Sequence, residues 1–219
     1  METNQLIARL AADCATVGRL RAPWRRTALW LMGVGPCVAI VSVHAAGRDV
    51  MASIDTRMMV EQAAVLLTGL TAALAAFSMV VPGRDWRIAL LPIVPLAVWL
   101  GSLGEGCMHD WSRMGADALQ LRSDWDCVPP AIALSIPCAA IMLVMLRRGA
   151  PLFPSLTLTL GTLASAAMVN FALRLIHAGD VAVMVLAWHF GGTAVVTALA
   201  GRFGGRVLSW NPTIRSVSV

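Results

Sequence analysis

The sequence predicts an all-α protein, a bundle of six membrane-spanning helices preceded by a short cytoplasmic amphipathic helix. Three observations predict it. Of the 219 residues, 58% are hydrophobic and only 13% charged, against roughly half and a quarter in soluble domains. The apolar residues gather into six long runs separated by short polar connectors. All 17 basic residues are arginine, and they are distributed unevenly among those connectors. The same composition excludes a coiled coil, a collagen and a disordered chain.

A spanning helix needs about 20 apolar residues, because each residue rises about 1.5 Å through a hydrocarbon core roughly 30 Å thick. The six runs cover 28–46, 63–81, 88–103, 128–146, 156–176 and 181–200. The first reads as a span and not a cleaved signal, since the segment ahead of it is long and patterned. The third is short and carries Pro92 and Pro95; it is expected to start near Trp86 and to kink where the prolines remove backbone donors. The chain therefore divides into a cytoplasmic segment, 1–27, a membrane domain, 28–201, with an outer-face loop at 104–127, and a cytoplasmic tail, 202–219.

Orientation follows from the arginines, because positive connectors stay inside. With the N-terminus inside, twelve arginines are cytoplasmic and five lie outside, and the carboxylates run the other way, giving net +9 inside and −4 outside. The high pI is thereby explained by membrane topology, and nucleic-acid binding is not required. The expected location is a bacterial inner membrane, with both termini cytoplasmic.

Ahead of the first span, Leu6, Ile7, Leu10, Cys14, Val17 and Leu20 recur at three- and four-residue steps, the pattern of an amphipathic helix from Thr3 to Leu20. Thr3 is the expected N-cap, and Pro23 closes the segment. Such a helix either lies on the inner leaflet or offers its apolar stripe to a partner's groove.

The connector 104–127 places Trp111, Met114, Ala118, Leu121 and Trp125 on one stripe, as in a short helix lying on the outer surface. Cys107 and Cys127 flank it on the oxidising side of the membrane, where a disulfide can persist. A helix from Trp111 to Trp125 would be about 21 Å long, and the remaining residues barely span that distance fully extended. The complete helix and a Cys107–Cys127 disulfide are thus nearly exclusive, as bonded cysteines need Cα atoms within about 7 Å. Outer-face histidines and methionines, with His109 and His177 as the metal-ligand candidates, have the chemistry to take a soft metal ion, but no CxxC or HxxxH pattern supports a resident site. No cofactor is expected beyond a transient soft metal ion.

Several stretches together resemble the NrsF-type family of membrane anti-sigma factors. These are the opening Thr3, Leu6, Ile7, Leu10, Ala11 and Ala12, then Val17, Arg19 and Leu20; Trp125 with Cys127; Arg147, Arg148, Pro151 and Pro154; Leu175 with His177; and Trp188, Gly201, Arg202, Arg206, Leu208 and Trp210. The resemblance implies a six-span inner-membrane protein that holds an extracytoplasmic-function sigma factor on its N-terminal segment and releases it when outer-face cysteines meet heavy metals or oxidants. Carried onto this chain, the docking surface is Leu6, Ile7, Leu10, Val17 and Leu20, and the sensing thiol is Cys127. Family members usually carry a second cysteine after the histidine matching His177, and here that position is Ala178; Cys107 or His177 is the candidate replacement. The implied partners are the sigma factor and the lipid bilayer, with no nucleic acid.

The alternative is a small six-span metal transporter or exporter. It would require paired polar residues near the bilayer midplane or an internal repeat; Glu61 and Arg174 fall at span ends, and no repeat is evident. An enzyme is not expected, since no base stands beside a nucleophile in a recognisable local motif.

Overall fold

The computed structural model describes residues 3–12, 20–45, 56–116, 128–176 and 182–208, and these are helical apart from short connections. In chain order the helices are α1 (Thr3–Ala12), α2 (Pro23–Ala45), α3 (Thr56–Met79), α4 (Ile93–Met114), α5 (Val128–Arg147), α6 (Pro154–Ile176) and α7 (Ala182–Val207). A 3₁₀ turn, Trp86–Leu90, leads into α4. Five of the helical segments are long and apolar enough to cross a membrane: α3, the 3₁₀ turn with α4, α5, α6 and α7. The first predicted span corresponds to α2, 23 residues packed into the same bundle.

The arrangement has a centre and two flanks. Helices α3 and α6 form the largest interface; α2 and α5 pack on one side of that pair, α4 and α7 on the other. In lipid there is no hydrophobic gain from pairing helices, so close association depends on small side chains that let backbones approach. Gly69, Ala72, Ala73, Ala75 and Ala76 of α3 are buried, as are Ala164, Ala167 and Ala172 of α6. The α2–α5 flank closes over this seam with Trp30, Val34, Leu134 and Leu146, all fully buried. Trp30 anchors the flank by donating its indole N–H to the Cys138 carbonyl at 3.3 Å.

The third predicted span begins as expected: the 3₁₀ turn starts at Trp86, Asp85 Oδ1 accepts from the Arg87 N–H at 2.9 Å, and Pro92 separates the turn from α4. Its far end differs. The helix continues to Met114 and ends at Gly115 with φ 62°, so residues 104–114, read as connector, belong to the helix. Trp111 and Met114 therefore sit on α4 and not on a separate surface helix; Ala118, Leu121 and Trp125 lie outside the described residues. In the N-terminal segment α1 covers Thr3–Ala12, with Thr3 inside the helix, Leu20 to Ala22 are not helical, and residues 13–19 lie outside the described residues.

Helix α7 contains a π-helical turn, Val185–Phe190, closed by the Gly191 N–H donating to the Leu186 carbonyl five residues back. Its far end meets α6 almost backbone to backbone: a Cβ on Gly204 would lie 2.5 Å from Ser155 Cα. Gly204→Val should therefore destabilise the α6–α7 crossing by about 1–3 kcal/mol, as overpacking does; thermal unfolding in detergent, compared with the exposed control Gly205→Val, reads it, and equal transitions would show that the crossing is loose.

Candidate functional site

Apart from Arg26 at the opposite end and scattered serines and threonines, the buried polar side chains among the described residues gather near the end formed by the start of α3, the end of α4, the end of α6 and the start of α7. There Glu61 on α3, 2% exposed, faces Arg174 on α6, 6% exposed. Arg174 Nε donates to Glu61 Oε2 at 3.1 Å, and Arg57, one turn earlier on α3, brings its Nε to 3.6 Å from Glu61 Oε1. One carboxylate thus lies between two guanidiniums. Gln62 donates to the Phe171 carbonyl at 3.2 Å, tying α3 to α6 a second time.

Arg57 reaches this position through a slot in α4. A Cβ on Gly106 would lie 2.6 Å from Arg57 Nη1 and 2.9 Å from Ala182 Cβ, so only glycine lets α4, the guanidinium and the start of α7 meet. One turn on, Asp110 Oδ2 accepts from the Ala182 N–H at 3.0 Å and caps the first turn of α7 from α4. A lower layer follows on α6 and α7: Asn170 Nδ2 donates to the Ala166 carbonyl at 2.8 Å and to Thr193 Oγ1 at 2.7 Å, and Thr193 donates to the His189 carbonyl at 2.8 Å.

These groups surround a small cleft with room for about one water, lined by Glu61, Gln62, Trp99, Asn170, Arg174 and His189 with Val65 and Val185. Three oxygens of this set, Glu61 Oε1, Gln62 Oε1 and Asn170 Oδ1, accept no hydrogen bond. Water is the simplest occupant that donates to such a set. The two arginines oppose a bare cation. Among the described residues, no group of three or more His, Cys, Asp or Glu is placed to hold a metal ion.

The residues singled out from the sequence fall in three places. In α1, Leu6 and Ile7 are 44% and 58% exposed, and every other side chain described in that helix is exposed too; Leu10 lies on the same helix, Leu20 is exposed beyond it, and Val17 lies outside the described residues. Cys107 is a half-buried free thiol on α4 beside Gly106, within electrostatic reach of Asp110, Arg57 and Glu61. His109 is exposed, with Nδ1 3.7 Å from Asp110 Oδ1. Cys127 and His177 lie outside the described residues.

Sequence reasoning missed the polar cluster. It set Glu61 and Arg174 at separate span ends with no pairing, whereas antiparallel packing of α3 and α6 brings those two ends together. An available signal was that Glu61, Asn170, Arg174 and His189 are polar residues within or at the edge of apolar runs, where unpaired groups are costly.

A family model described as negative regulator of sigma F, NrsF, matches residues 10–210. The chain belongs to the NrsF family. The match spans all of the bundle, so the family assignment covers the polar cluster as well as the basic end. No curated protein and no solved structure matches the chain.

Removing one partner of a buried ion pair leaves the other charge uncompensated and costs about 3–5 kcal/mol, whereas removing both costs far less. Arg174→Met should accordingly lower the unfolding transition strongly, and Glu61→Met with Arg174→Met should recover some of the loss. Thermal unfolding of the two single variants and the double variant checks this; additive losses would mean that the two side chains do not interact.

Proposed function

We propose that this NrsF-family protein is a membrane anti-sigma factor that sequesters an extracytoplasmic-function sigma factor at the bacterial inner membrane. The observation that carries the reading is α1. It has an apolar stripe containing Leu6 and Ile7, yet its described side chains are exposed and none is buried in the bundle. An amphipathic helix left uncovered beside a membrane domain suits a partner's groove, and the family description supplies the partner's class. Leu6, Ile7, Leu10, Val17 and Leu20 form the docking stripe.

The arginine distribution supports cytoplasmic termini, which put the docking stripe on the side where transcription occurs. The chain then crosses the membrane six times, α2 providing the first crossing. On this reading the signal is a heavy metal or an oxidant arriving at the outer face and reacting at Cys127 or Cys107. Cys107 lies within electrostatic reach of Arg57 and Glu61, so a charged substituent on its sulfur would disturb the Glu61–Arg174 pair. The bundle carries the change to the inner end only if its two packings differ in affinity for both stimulus and sigma factor. No catalytic chemistry is involved.

The polar cavity favours a second reading, a small metal transporter, because charged pairs inside membrane bundles often line transport paths. Two arginines against one carboxylate argue against a cation path there, and metal flux into proteoliposomes would discriminate between the readings.

Replacing Leu6 and Ile7 with aspartate places charge on the docking stripe without touching the bundle. Co-purification of the sigma factor should fall to background and transcription of its target genes should rise, as with deletion of residues 2–20. Retention of the sigma factor by both variants, with transcription unchanged, would remove α1 from the interface and the reading with it.

A further inference from the structure

At the opposite end of the bundle the starts of α2 and α6 meet the ends of α3, α5 and α7. Eight arginines lie at these helix ends and in the turns beside them: Arg25, Arg26, Arg84, Arg87, Arg147, Arg148, Arg202 and Arg206. Asp85 is the sole carboxylate there among the described residues, and it is engaged with the Arg87 N–H.

Seven of these arginines are exposed, as expected of an interfacial charge belt. Arg26 is 5% exposed. Its Nη2 donates to the Met145 carbonyl, its guanidinium lies over the Phe77 ring with 4.6 Å to the centroid, and its Nη1 is buried with no partner. No ion pair among the described residues includes it, and its nearest charged influence is another cation, Arg148. A carbonyl dipole and a ring face offset some of the desolvation of a guanidinium, but they do not neutralise it. Glu61 performs that role for Arg57 and Arg174 at the other end; nothing in the described chain performs it here.

We propose that Arg26 and Arg148 form a binding site for the phosphate of an anionic phospholipid. The anion's class follows from the geometry. A guanidinium presents donors in a planar fork that suits phosphate oxygens, and two adjacent cations suit a group that carries a full negative charge on several acceptors. The lipid source follows from position. Arg26 stands in the first turn of α2, between Trp24, exposed and stacked under Arg25 at 5.0 Å, and the buried Trp30. Exposed Trp86 lies at the same bundle end, and tryptophan side chains sit at headgroup level. Arg148, exposed just beyond α5, is the second cation at this end, and the buried Nη1 of Arg26 is the donor left for a phosphate oxygen. The phosphate would join α2 to the end of α5 and hold the point at which the chain leaves the N-terminal segment. This inference stands independently of what α1 binds.

The test uses the full chain purified in detergent and exchanged into vesicles of phosphatidylglycerol or of phosphatidylcholine, with bound lipid counted by native mass spectrometry. The wild type should keep a phosphatidylglycerol molecule through detergent exchange and keep no phosphatidylcholine. Arg26→Gln should lower that retention by about tenfold, the loss of one charge-assisted contact, while Arg202→Gln, exposed at the same end, should leave it unchanged. Equal retention in Arg26→Gln, or equal retention of both lipids by the wild type, would overturn the site. Full displacement by millimolar inorganic phosphate would overturn the lipid as its source. Should Arg26→Gln fail to fold, thermal unfolding of the wild type decides: phosphatidylglycerol should raise the transition above that in phosphatidylcholine, as a ligand of the folded state does, and an unchanged transition counts against the site.

Discussion

The close approach of α3 and α6 is the constraint on which the rest of the bundle depends. In an apolar solvent, leucine gains little by leaving lipid for protein, so a pair of helices holds together only where backbones come near enough for dense van der Waals contact. The alanine and glycine seam between α3 and α6 provides that contact, and the flanking pairs are built on it. Once the seam sets the register, Glu61 and Arg174 are brought opposite each other. Their pairing is a consequence of the packing and also a lock on it, since sliding α3 along α6 would separate the buried carboxylate from its guanidinium. Apolar contacts alone tolerate such sliding far better than a carboxylate held between two guanidiniums.

How much of this was legible in the sequence depends on the kind of information each feature needs. Depth is linear information. A run such as 128–146 becomes α5 almost unchanged, and Pro92 and Pro95 mark the break that separates the 3₁₀ turn from α4. Azimuth is not linear. Nothing local to Glu61 says that it faces α6 and not lipid, and its pairing with Arg174 requires knowing which helices are neighbours. Helix ends fall between these extremes. Hydropathy ends the third run at Leu103 because Glu105, His109 and Asp110 are polar, but these residues break no helix, and backbone hydrogen bonding carries α4 on until Gly115 ends it with a positive φ. In the N-terminal segment the periodic pattern runs as far as Leu20, and among the described residues Thr3–Ala12 are helical and Leu20 to Ala22 are not. The apolar stripe of α1 was legible as a pattern; that its described side chains remain exposed could be seen only in three dimensions.

The two ends of the bundle solve the problem of buried arginine in different ways. At the Glu61 end, α3 and α6 contribute charges of both signs, and a glycine on α4 makes room for the second guanidinium. At the Arg26 end, a carbonyl, an aromatic ring and a proposed lipid phosphate take the place of a carboxylate. The first solution is internal and fixed by packing; the second would tie the bundle to the composition of its membrane.

The flanks divide the proposed tasks. Helix α2, which continues from the docking segment, packs on one side of the central pair; α4 and α7, which carry Cys107 and the cap from Asp110, pack on the other. On the proposed reading, an event at Cys107 reaches α2 by way of α3 and α6, which form the largest interface and lie between the two flanks. Arg57, Glu61 and Arg174 stand at that crossing, two on α3 and one on α6, with Arg57 threaded against α4. On that reading a substituent on Cys107 need not move a whole helix to be felt: a change in the field at Arg57 and Glu61 would fall on the ion pair that fixes the α3–α6 register. A shift of that register moves the surface on which α2 rests, and a closely packed bundle responds by adopting another packing and not by bending continuously.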